Sequence, residues 1–380
     1  MSLSIFHILY NGLKLMKFKK TFNNKTILVT GHTGFKGSWL SIWLQLLGAN
    51  VSGISIDVPS KPSHFTVTNL SSQINDHRID IRDGEAVKRI VKQIQPDFVF
   101  HLAAQALVRL SYVNPIETIT TNAIGTVNIL EALRALDKPV AAVMITSDKA
   151  YDNVEWVWGY REDDRLGGKD PYSASKGMAE LAIKTYVESF FSKETTKVKV
   201  GIARAGNVIG GGDWAEDRIV VDCMESWSKN KTVEIRNPGA TRPWQHVLEP
   251  LSGYLTLGSN LYIDSSNHGQ AYNFGPPANQ DYSVRQLINE MKRYWNNVRW
   301  EDTSKAKEHF HEAGLLKLNC DKALFDLNWQ PTLEFKDTVK MTVEWYKEFH
   351  EVKSKGMYEY SVNNISEYTD KAKYSGINWA

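Results

Sequence analysis

The chain is poor in cysteine, with only Cys223 and Cys320 among its 380 residues. Two distant cysteines cannot form a disulfide framework, and they lack the spacing of metal ligands, so we expect no metal site and a reducing compartment, the cytoplasm. The charges nearly balance, at a formal net charge of +2, and no basic stretch is dense enough to form an electrostatic stripe. Nucleic acid and membrane surfaces are therefore not expected as partners, whereas a small molecule is.

Long apolar runs, internal repeats and low-complexity tracts are also missing. The apolar patch within residues 1–24 is interrupted by polar residues and followed by its lysines, so it is neither a signal peptide nor long enough to span a bilayer. We treat residues 1–24 as an N-terminal extension outside the fold, with Met16 as an alternative start. With 42% apolar residues, the chain is able to bury a sizeable core.

The sequence does contain a regular alternation of short β-rich runs with segments of helical length. Between residue 25 and about 205 the runs are TILVT, VSGISI, DFVFHLA, AAVMIT and VKVGIA. This alternation is typical of βαβ units, so we predict an α/β fold with a Rossmann-type doubly wound parallel sheet over residues 25–205. After RAGNVIGGGDW the alternation weakens. That change predicts a smaller substrate-binding lobe over 206–355, with the chain crossing between lobes, and an extended tail over 356–380.

Two of the helical segments, roughly 115–136 and 172–191, carry apolar residues on more than one face. A helix that packs on a sheet needs only one apolar face, so the other face is available to a partner. We expect these segments to pack against a second copy of the chain, which gives a homodimer or a homotetramer.

The stretch TILVTGHTGFKG places three glycines directly after a strand and at the start of a helical run. Glycines at this spacing allow a tight turn, a close approach of pyrophosphate to the backbone, and close packing of the helix on the strand. The helix N-terminus supplies oriented N–H donors for the phosphates. The loop residues that we predict to bind a dinucleotide are Gly31, His32, Gly34, Phe35, Lys36 and Gly37.

Asp57 ends the next strand, about twenty residues after the glycine loop, where a carboxylate can bind the adenosine ribose. A carboxylate repels a 2′-phosphate, so Asp57 favours NAD. His32 and Lys36 are able to attract such a phosphate, so NADP stays open. Further cofactor contacts are expected where neighbouring strands end, beside the adenine and along a stretch of mostly small residues. These contacts are Asp80, Ile81, Leu102, Ala103 and Ala104.

A phenol and an ammonium group stand four residues apart in PYSASK, as Tyr172 and Lys176. This spacing places both side chains on one face of a helix. A lysine beside a phenol, helped by a positive nicotinamide, lowers the pKa of the phenol, so Tyr172 can act as a base near neutral pH. Tyr10 and Lys14 have the same spacing but no such context, because only Tyr172 follows the glycine loop and the strand end TSDK in order.

Together these residues resemble the extended short-chain dehydrogenase/reductase family, and within it the sugar-nucleotide 4,6-dehydratases. The resemblance runs from about residue 25 to 350 and rests on GHTGFKGSWL, HLAAQALVRLSY, TSDKAYD, PYSASK, RAGNVIGGGDW and RPWQHVLEP. Many of these dehydratases have Asp-Glu where this chain has Asp148 and Lys149, and the Asp-Lys pair is similar to the branch that uses CDP-glucose. The resemblance implies NAD, a nucleotide-sugar substrate, and a deoxysugar destined for a bacterial surface polysaccharide such as an O-antigen.

The resemblance also implies roles for individual residues. Asn122 is implied as a structural asparagine beside the cofactor, and Ser147 occupies the usual hydroxyl position. Tyr172 would take the proton of the C4 hydroxyl, Lys149 the C5 proton, and Asp148 would give a proton to the departing C6 hydroxyl. Lys149 as a mere ion-pair partner of Asp148 remains the alternative, because a lysine acts as a base only when its pKa is depressed.

On the substrate side, the implied residues are Asn207, Arg218, Arg242 and His246. A planar guanidinium suits a pyrophosphate because it can donate two hydrogen bonds at once, although Arg242 as a surface residue covering Trp244 is an alternative. An epimerase or reductase on the same scaffold is the main competing activity, and the pair at 148 and 149 argues against it. A non-catalytic NAD-binding protein is a third hypothesis, which Ser147, Tyr172 and Lys176 oppose.

Overall fold

The apolar runs of the sequence form the strands of a computed structural model, which describes residues 16–192, 196–277, 280–304, 315–352, 356–377 and 379. The strands are β1 Thr26–Thr30, β2 Asn50–Ser55, β3 Asn75–Arg78, β4 Phe98–His101, β5 Val140–Ile145, β6 Val198–Ala205, β7 Val208–Ile209, β8 Val233–Ile235, β9 Thr241–Arg242, β10 Gln245–His246, β11 Ala271–Phe274, β12 Tyr282–Ser283 and β13 Trp300–Asp302.

The α-helices lie between these strands and after them. They are α1 Met16–Phe22, α2 Phe35–Leu46, α3 His64–Val67, α4 Gly84–Ile94, α5 Val108–Val113, α6 Pro115–Ile119, α7 Gly125–Arg134, α8 Pro171–Tyr186, α9 Ile219–Ser228, α10 Leu248–Ile263, α11 Val284–Met291, α12 Asp321–Leu327, α13 Phe335–Val352 and α14 Met357–Tyr374. Wider helical turns at Thr120–Ile124 and Val187–Phe191 interrupt or extend the two long segments that were expected to be helical.

Seven strands form one sheet in the order β11-β6-β5-β4-β1-β2-β3, and every neighbouring pair is parallel. The predicted Rossmann-type sheet is therefore confirmed. From β1 the chain builds first toward β3 and then, through β4, in the opposite direction. This reversal opens a crevice beyond the carboxyl ends of β1 and β4, where sheets of this kind bind their ligands. The sequence alternation did not reveal β11, which comes from beyond residue 206 and pairs with β6.

Helices cover both faces of the sheet, and successive strand residues alternate between two apolar cores. On β4, for example, Val99 packs into the core that includes α4 and α7, while Phe100 packs into the core that includes α2 and α10. A central parallel strand is buried on both sides, which explains why these runs are almost continuously apolar. None of the helices among the described residues is long and apolar enough to cross a membrane.

The exclusion of residues 1–24 from the fold was wrong for α1, while residues 1–15 lie outside the described residues. Phe18 and Phe22 of α1 are buried in the core, and the ring centroid of Phe22 lies 4.8 Å from that of Phe98 on β4. Two aromatic side chains four residues apart form one apolar face, which is enough to attach a short helix to the core beside β4.

The prediction of an extended tail over 356–380 was also wrong, because most of that segment is the helix α14. Its buried face contains Ile365 and Tyr368, and the Tyr368 hydroxyl donates to Glu249 Oε2 at 2.8 Å. The same carboxyl accepts from the backbone N–H of Leu333 at 2.6 Å, so one buried group on α10 holds two later segments. Small and polar residues such as Ser361 complete this face, and they hide its helical period from an apolar pattern. The division of the chain into lobes stays a prediction.

Candidate active site

The loop after β1 has the shape that a dinucleotide needs. Gly31 has φ +74°, and a Cβ on it would lie 2.7 Å from the backbone N of Ala103. A Cβ on Gly37 would lie 2.1 Å from the Gly31 carbonyl oxygen, so both positions require glycine. Gly34, which precedes the first residue of α2, has no side chain to cap the helix. The first N–H groups of α2 therefore remain available to a pyrophosphate.

The two basic residues of this loop point in different directions. The His32 imidazole is fully buried, with Nε2 2.9 Å from Asp76 Oδ1 and Nδ1 3.1 Å from Ser55 Oγ. Burial lowers the pKa of His32 despite the nearby Asp76 carboxylate, which favours a neutral ring. Burial also lowers the pKa of Lys36 to about 8, with a further contribution from the positive charge of Arg218. The structure therefore does not bring His32 and Lys36 together as a cation pair for a 2′-phosphate.

The predicted adenosine contacts lie at the carboxyl edge of the sheet. Asp57 is exposed two residues beyond β2, and its backbone oxygen accepts from Thr33 Oγ1 at 2.6 Å. Asp80 accepts from the Arg82 guanidinium at 2.8 Å, and this hydrogen bond holds the pKa of Asp80 below its usual value. The backbone N of Ala103 donates to Thr30 Oγ1 at 3.0 Å, which joins the end of β4 to β1 beside Gly31.

The remaining predicted cofactor contacts are Ile81, Leu102, Ala104 and Asn122. Ile81 is buried, and its side chain would clash with a Cβ on Gly125 at 2.5 Å. Leu102 and Ala104 flank Ala103 at the end of β4. Asn122 Oδ1 accepts from the backbone N of Gln105 at 2.8 Å, and Asn122 Nδ2 donates to Ser175 Oγ at the same distance. Asn122 therefore joins the loop after β4 to the helix α8.

The turn after β5 holds the acid and the lysine. Ser147 Oγ donates to Asp148 Oδ1 at 2.8 Å and accepts from the backbone N of Lys149 at 3.2 Å, so it fixes the turn. Asp148 is buried, and burial raises its pKa, although the Lys149 charge and the Ser147 hydrogen bond act in the opposite direction. Lys149 is only partly buried. A buried carboxyl with a raised pKa is suited to hold and donate a proton.

Tyr172 and Lys176 lie on one face of α8, which begins at Pro171 after the capping residue Asp170. Burial raises the pKa of Tyr172 to about 12, against a hydrogen bond with Ser147 that lowers it. Burial lowers the pKa of Lys176 to about 8, against the negative charge of Glu180. The side chains of the chain alone therefore do not lower the pKa of the phenol. A positive charge brought by a cofactor is needed for that.

A buried ion pair connects the turn after β5 with α8, the two segments that carry the predicted catalytic residues. Arg204 on β6 forms a two-pronged contact with Glu180 on α8, with Nε donating to Oε1 at 2.7 Å, and both side chains are fully buried. Arg204 Nη1 also donates to the Tyr151 hydroxyl at 2.7 Å, next to the Asp148 turn. Thr146, the residue after β5, donates its hydroxyl to Glu180 at 2.7 Å. The pair thus fixes α8 and the turn in one geometry.

Sequence reasoning missed Glu180, Arg204 and Gly206. A Cβ on Gly206, just after β6, would lie 3.1 Å from Asp148 Oδ2, so the Asp148 carboxyl packs against this glycine. A signal for Glu180 was present, since it follows Lys176 by four residues on the same helix face. Nothing in the sequence pairs it with Arg204, which lies 24 residues away.

The predicted substrate residues are spread over a wider area. Arg218 forms an ion pair with Asp213 at 3.0 Å, and its positive charge acts on Lys36 of the glycine loop. Asn207 is partly buried directly after Gly206. Arg242 lies on β9 and donates to the Thr241 carbonyl at 2.7 Å. His246 is not brought together with these side chains, because its ring is fully buried, with a centroid 6.3 Å from that of Trp39.

We expect Arg204→Met to lower the free energy of unfolding by about 3–5 kcal/mol, because it leaves the Glu180 carboxylate buried and unpaired. The double variant Arg204→Met/Glu180→Leu removes both charges and should recover a large part of that loss. Denaturant unfolding of the three proteins measures the difference. Arg134→Met, at the exposed pair with Glu131, is the control and should cost less than about 1 kcal/mol. A double variant as unstable as Arg204→Met would contradict the proposed cause.

The sequence and the fold of the chain are both similar to those of known proteins. Residues 28–342 match the family model described as GDP-mannose 4,6 dehydratase. A CDP-glucose 4,6-dehydratase of Salmonella typhimurium is 45% identical over 354 residues, which cover 92% of this chain and 98% of that protein. The solved dTDP-glucose 4,6-dehydratase DesIV of Streptomyces venezuelae has a TM-score of 0.70 at 21% identity, covering 86% of this chain and 98% of its own.

A second solved structure, the UDP-glucuronic acid 4-epimerase of Bacillus cereus, has a TM-score of 0.72 at 21% identity and covers 85% of this chain and 99% of its own. At these identities the two structures show the fold alone. The family model and the Salmonella relative do more, since each spans most of the chain, and they confirm the family resemblance that the motifs indicated. The chain belongs to the GDP-mannose 4,6-dehydratase family of extended short-chain dehydrogenases/reductases.

Proposed function

We propose that the chain is an NAD-dependent lyase that converts CDP-glucose to CDP-4-keto-6-deoxyglucose and water. The observation that carries the proposal is the placement of Ser147 in one buried site, where its hydroxyl donates to Asp148 Oδ1 at 2.8 Å and also lowers the pKa of the neighbouring Tyr172 phenol. A base for oxidation and an acid for dehydration thus adjoin each other. The base and sugar of the substrate are supported by the 45% identical relative, whose name states CDP-glucose 4,6-dehydratase.

The glycine loop would hold the pyrophosphate of NAD at the start of α2, and Asp57 would bind its ribose. When bound, NAD would supply hydride transfer, taking a hydride from C4 of the sugar and giving it back at C6 while C5 regains a proton, so that the cofactor would end as it began. Tyr172 would need a positive charge from the bound cofactor to lower its pKa, because the side chains of the chain are not sufficient. Lys176 holds a second positive charge on the same face of α8.

Tyr172 would take the proton of the C4 hydroxyl and so begin the reaction. A ketone at C4 makes the C5 proton acidic, and Lys149 would take that proton. Asp148, whose raised pKa favours the protonated form, would give its proton to the C6 hydroxyl as it leaves as water. Arg218, Arg242 and Asn207 are the proposed holders of the nucleotide and its pyrophosphate.

We also propose a homodimer, formed through α5, α6 and α8. Val113, Ile116 and Leu181 on these neighbouring helices are 74%, 78% and 57% exposed. Exposed apolar side chains that lie together on adjacent helices indicate a surface that a second copy of the chain covers. A cytoplasmic location belongs to the same proposal and fits the two free cysteines.

The function is tested by incubating the chain and NAD with a panel of CDP-, dTDP-, UDP- and GDP-linked sugars. We expect CDP-glucose to give a 4-keto-6-deoxy product, which absorbs in alkali, at a higher kcat/KM than the other sugars. Tyr172→Phe is the matched inactive control, because loss of a general base typically costs about 10²- to 10⁴-fold. Formation of a C4 epimer without loss of water would establish the competing epimerase activity instead.

The two residues of the acid–base pair should fail in different ways. In Lys149→Met, exchange of the C5 proton of the sugar with solvent deuterium should stop, because the base is gone. In Asp148→Asn, which removes only the proton donor, exchange should continue while release of water slows by about 10²-fold or more. NMR of the reaction in deuterium oxide measures both. Rapid C5 exchange in Lys149→Met would assign Lys149 to the alternative role, an ion-pair partner of Asp148.

The dimer is tested by Leu181→Glu, which places a charge in the proposed interface. We expect the molar mass from light scattering to fall to that of one chain, since an unpaired buried charge costs several kcal/mol. Phe325→Glu is the control, because Phe325 is 90% exposed on the distant helix α12. An unchanged mass for Leu181→Glu would place the interface elsewhere.

A further inference from the structure

A small cavity adjoins the acid of the active site. Its walls include Gly206, Gln245, Gly275, Lys317 and Leu318. Gly206 links the two places, because it lines this cavity and also packs against the Asp148 carboxyl. A molecule that presents a hydroxyl to Asp148 is therefore placed next to the cavity.

Gln245, which lines the cavity, carries a buried hydrogen-bond acceptor whose orientation is fixed by the backbone. Gln245 is 2% exposed, and its Nε2 donates to the carbonyl oxygen of Phe274 at 3.2 Å. The reverse orientation would place two oxygens against each other, so Oε1 is the atom that remains on the other side. Among the described residues, Oε1 has no hydrogen-bond partner. Pairing of Gln245 with Val208 in β10 and β7 holds the backbone of this residue in place.

A buried acceptor without a donor lowers stability, and such groups in native proteins need an explanation. A ligand that enters the cavity with a hydroxyl supplies the missing donor. The basic residue of the cavity, Lys317, is already paired with Asp281 at 3.1 Å, so its charge is neutralised. An acceptor beside a neutralised cation fits an uncharged hydroxyl group of a sugar better than a phosphate.

We propose that Gln245 is a substrate-binding residue whose Oε1 accepts a hydrogen bond from the C2 or the C3 hydroxyl of the hexose. The inference rests on the proposed function, because it uses the assignment of the C4 hydroxyl to Tyr172 and of the C6 hydroxyl to Asp148. These assignments leave the C2 and C3 hydroxyls for the neighbouring cavity. The contact makes Gln245 a determinant of sugar specificity, since a site built to bind a hydroxyl rejects an analogue without it.

The test compares wild type with Gln245→Leu on three substrates: CDP-glucose, CDP-2-deoxyglucose and CDP-3-deoxyglucose. In wild type we expect one of the two deoxy sugars to lose about tenfold to a hundredfold in kcat/KM, the usual effect of leaving one buried neutral group unpaired. Gln245→Leu should lose a similar factor on CDP-glucose. It should then use that deoxy sugar as well as CDP-glucose, because the lost contact is the same one.

Equal penalties for the deoxy sugars in both proteins would overturn the proposal, as would wild-type enzyme that uses all three substrates equally. A wild-type chain that does not dehydrate CDP-glucose would overturn the proposed function, and this inference with it. Gln245→Met repeats the test should the leucine variant fail to fold. Gln93→Leu is the matched control on the exposed face of α4, and its pattern should equal that of wild type.

Discussion

The active site depends on the buried contact between Arg204 and Glu180. The proposed chemistry uses groups from two separate segments, Tyr172 and Lys176 on α8 and Asp148 on the turn after β5. Both segments meet at this ion pair, because Glu180 continues the face of α8 and Arg204 reaches Tyr151 beside the turn. A buried ion pair adds little net stability compared with apolar side chains of the same size. Arrangements that separate Arg204 from Glu180 are nevertheless strongly disfavoured, because each would leave an unpaired buried charge.

Burial shifts the pKa of all three proposed catalytic side chains toward their uncharged forms. It raises the pKa of Tyr172 to about 12, lowers that of Lys176 to about 8 and raises that of Asp148. Without a cofactor the Tyr172 phenol keeps its proton, so in the proposed mechanism the positive charge of bound NAD lowers its pKa. The same burial that raises the pKa of Tyr172 also raises that of Asp148, which suits Asp148 to donate a proton. One buried environment therefore sets the protonation of both groups in the proposed oxidation and dehydration.

The parts that sequence could predict are those with a local period. The strand runs, the glycine loop, and the four-residue spacing of Tyr172 and Lys176 are contained in short windows, and the structure places each in its expected element. The helix α14 was missed because polar residues such as Ser361 complete its buried face. Arg204, Gly206 and Gln245 were missed because their importance comes from neighbours distant in the chain. The different directions of His32 and Lys36 are likewise a property of packing.

The positions of Asp148 and Lys149 also suggest why this pair suits dehydration. The positive charge of Lys149 lowers the pKa of Asp148, against the effect of burial. In the proposed mechanism, the C5 proton that Lys149 takes brings positive charge next to Asp148, which favours loss of the Asp148 proton. Removal of the C5 proton would thereby promote donation to the C6 hydroxyl, so that the two proposed transfers would be coupled through one electrostatic interaction. Because Ser147 and Gly206 hold the carboxyl from two sides, this coupling acts at a fixed geometry.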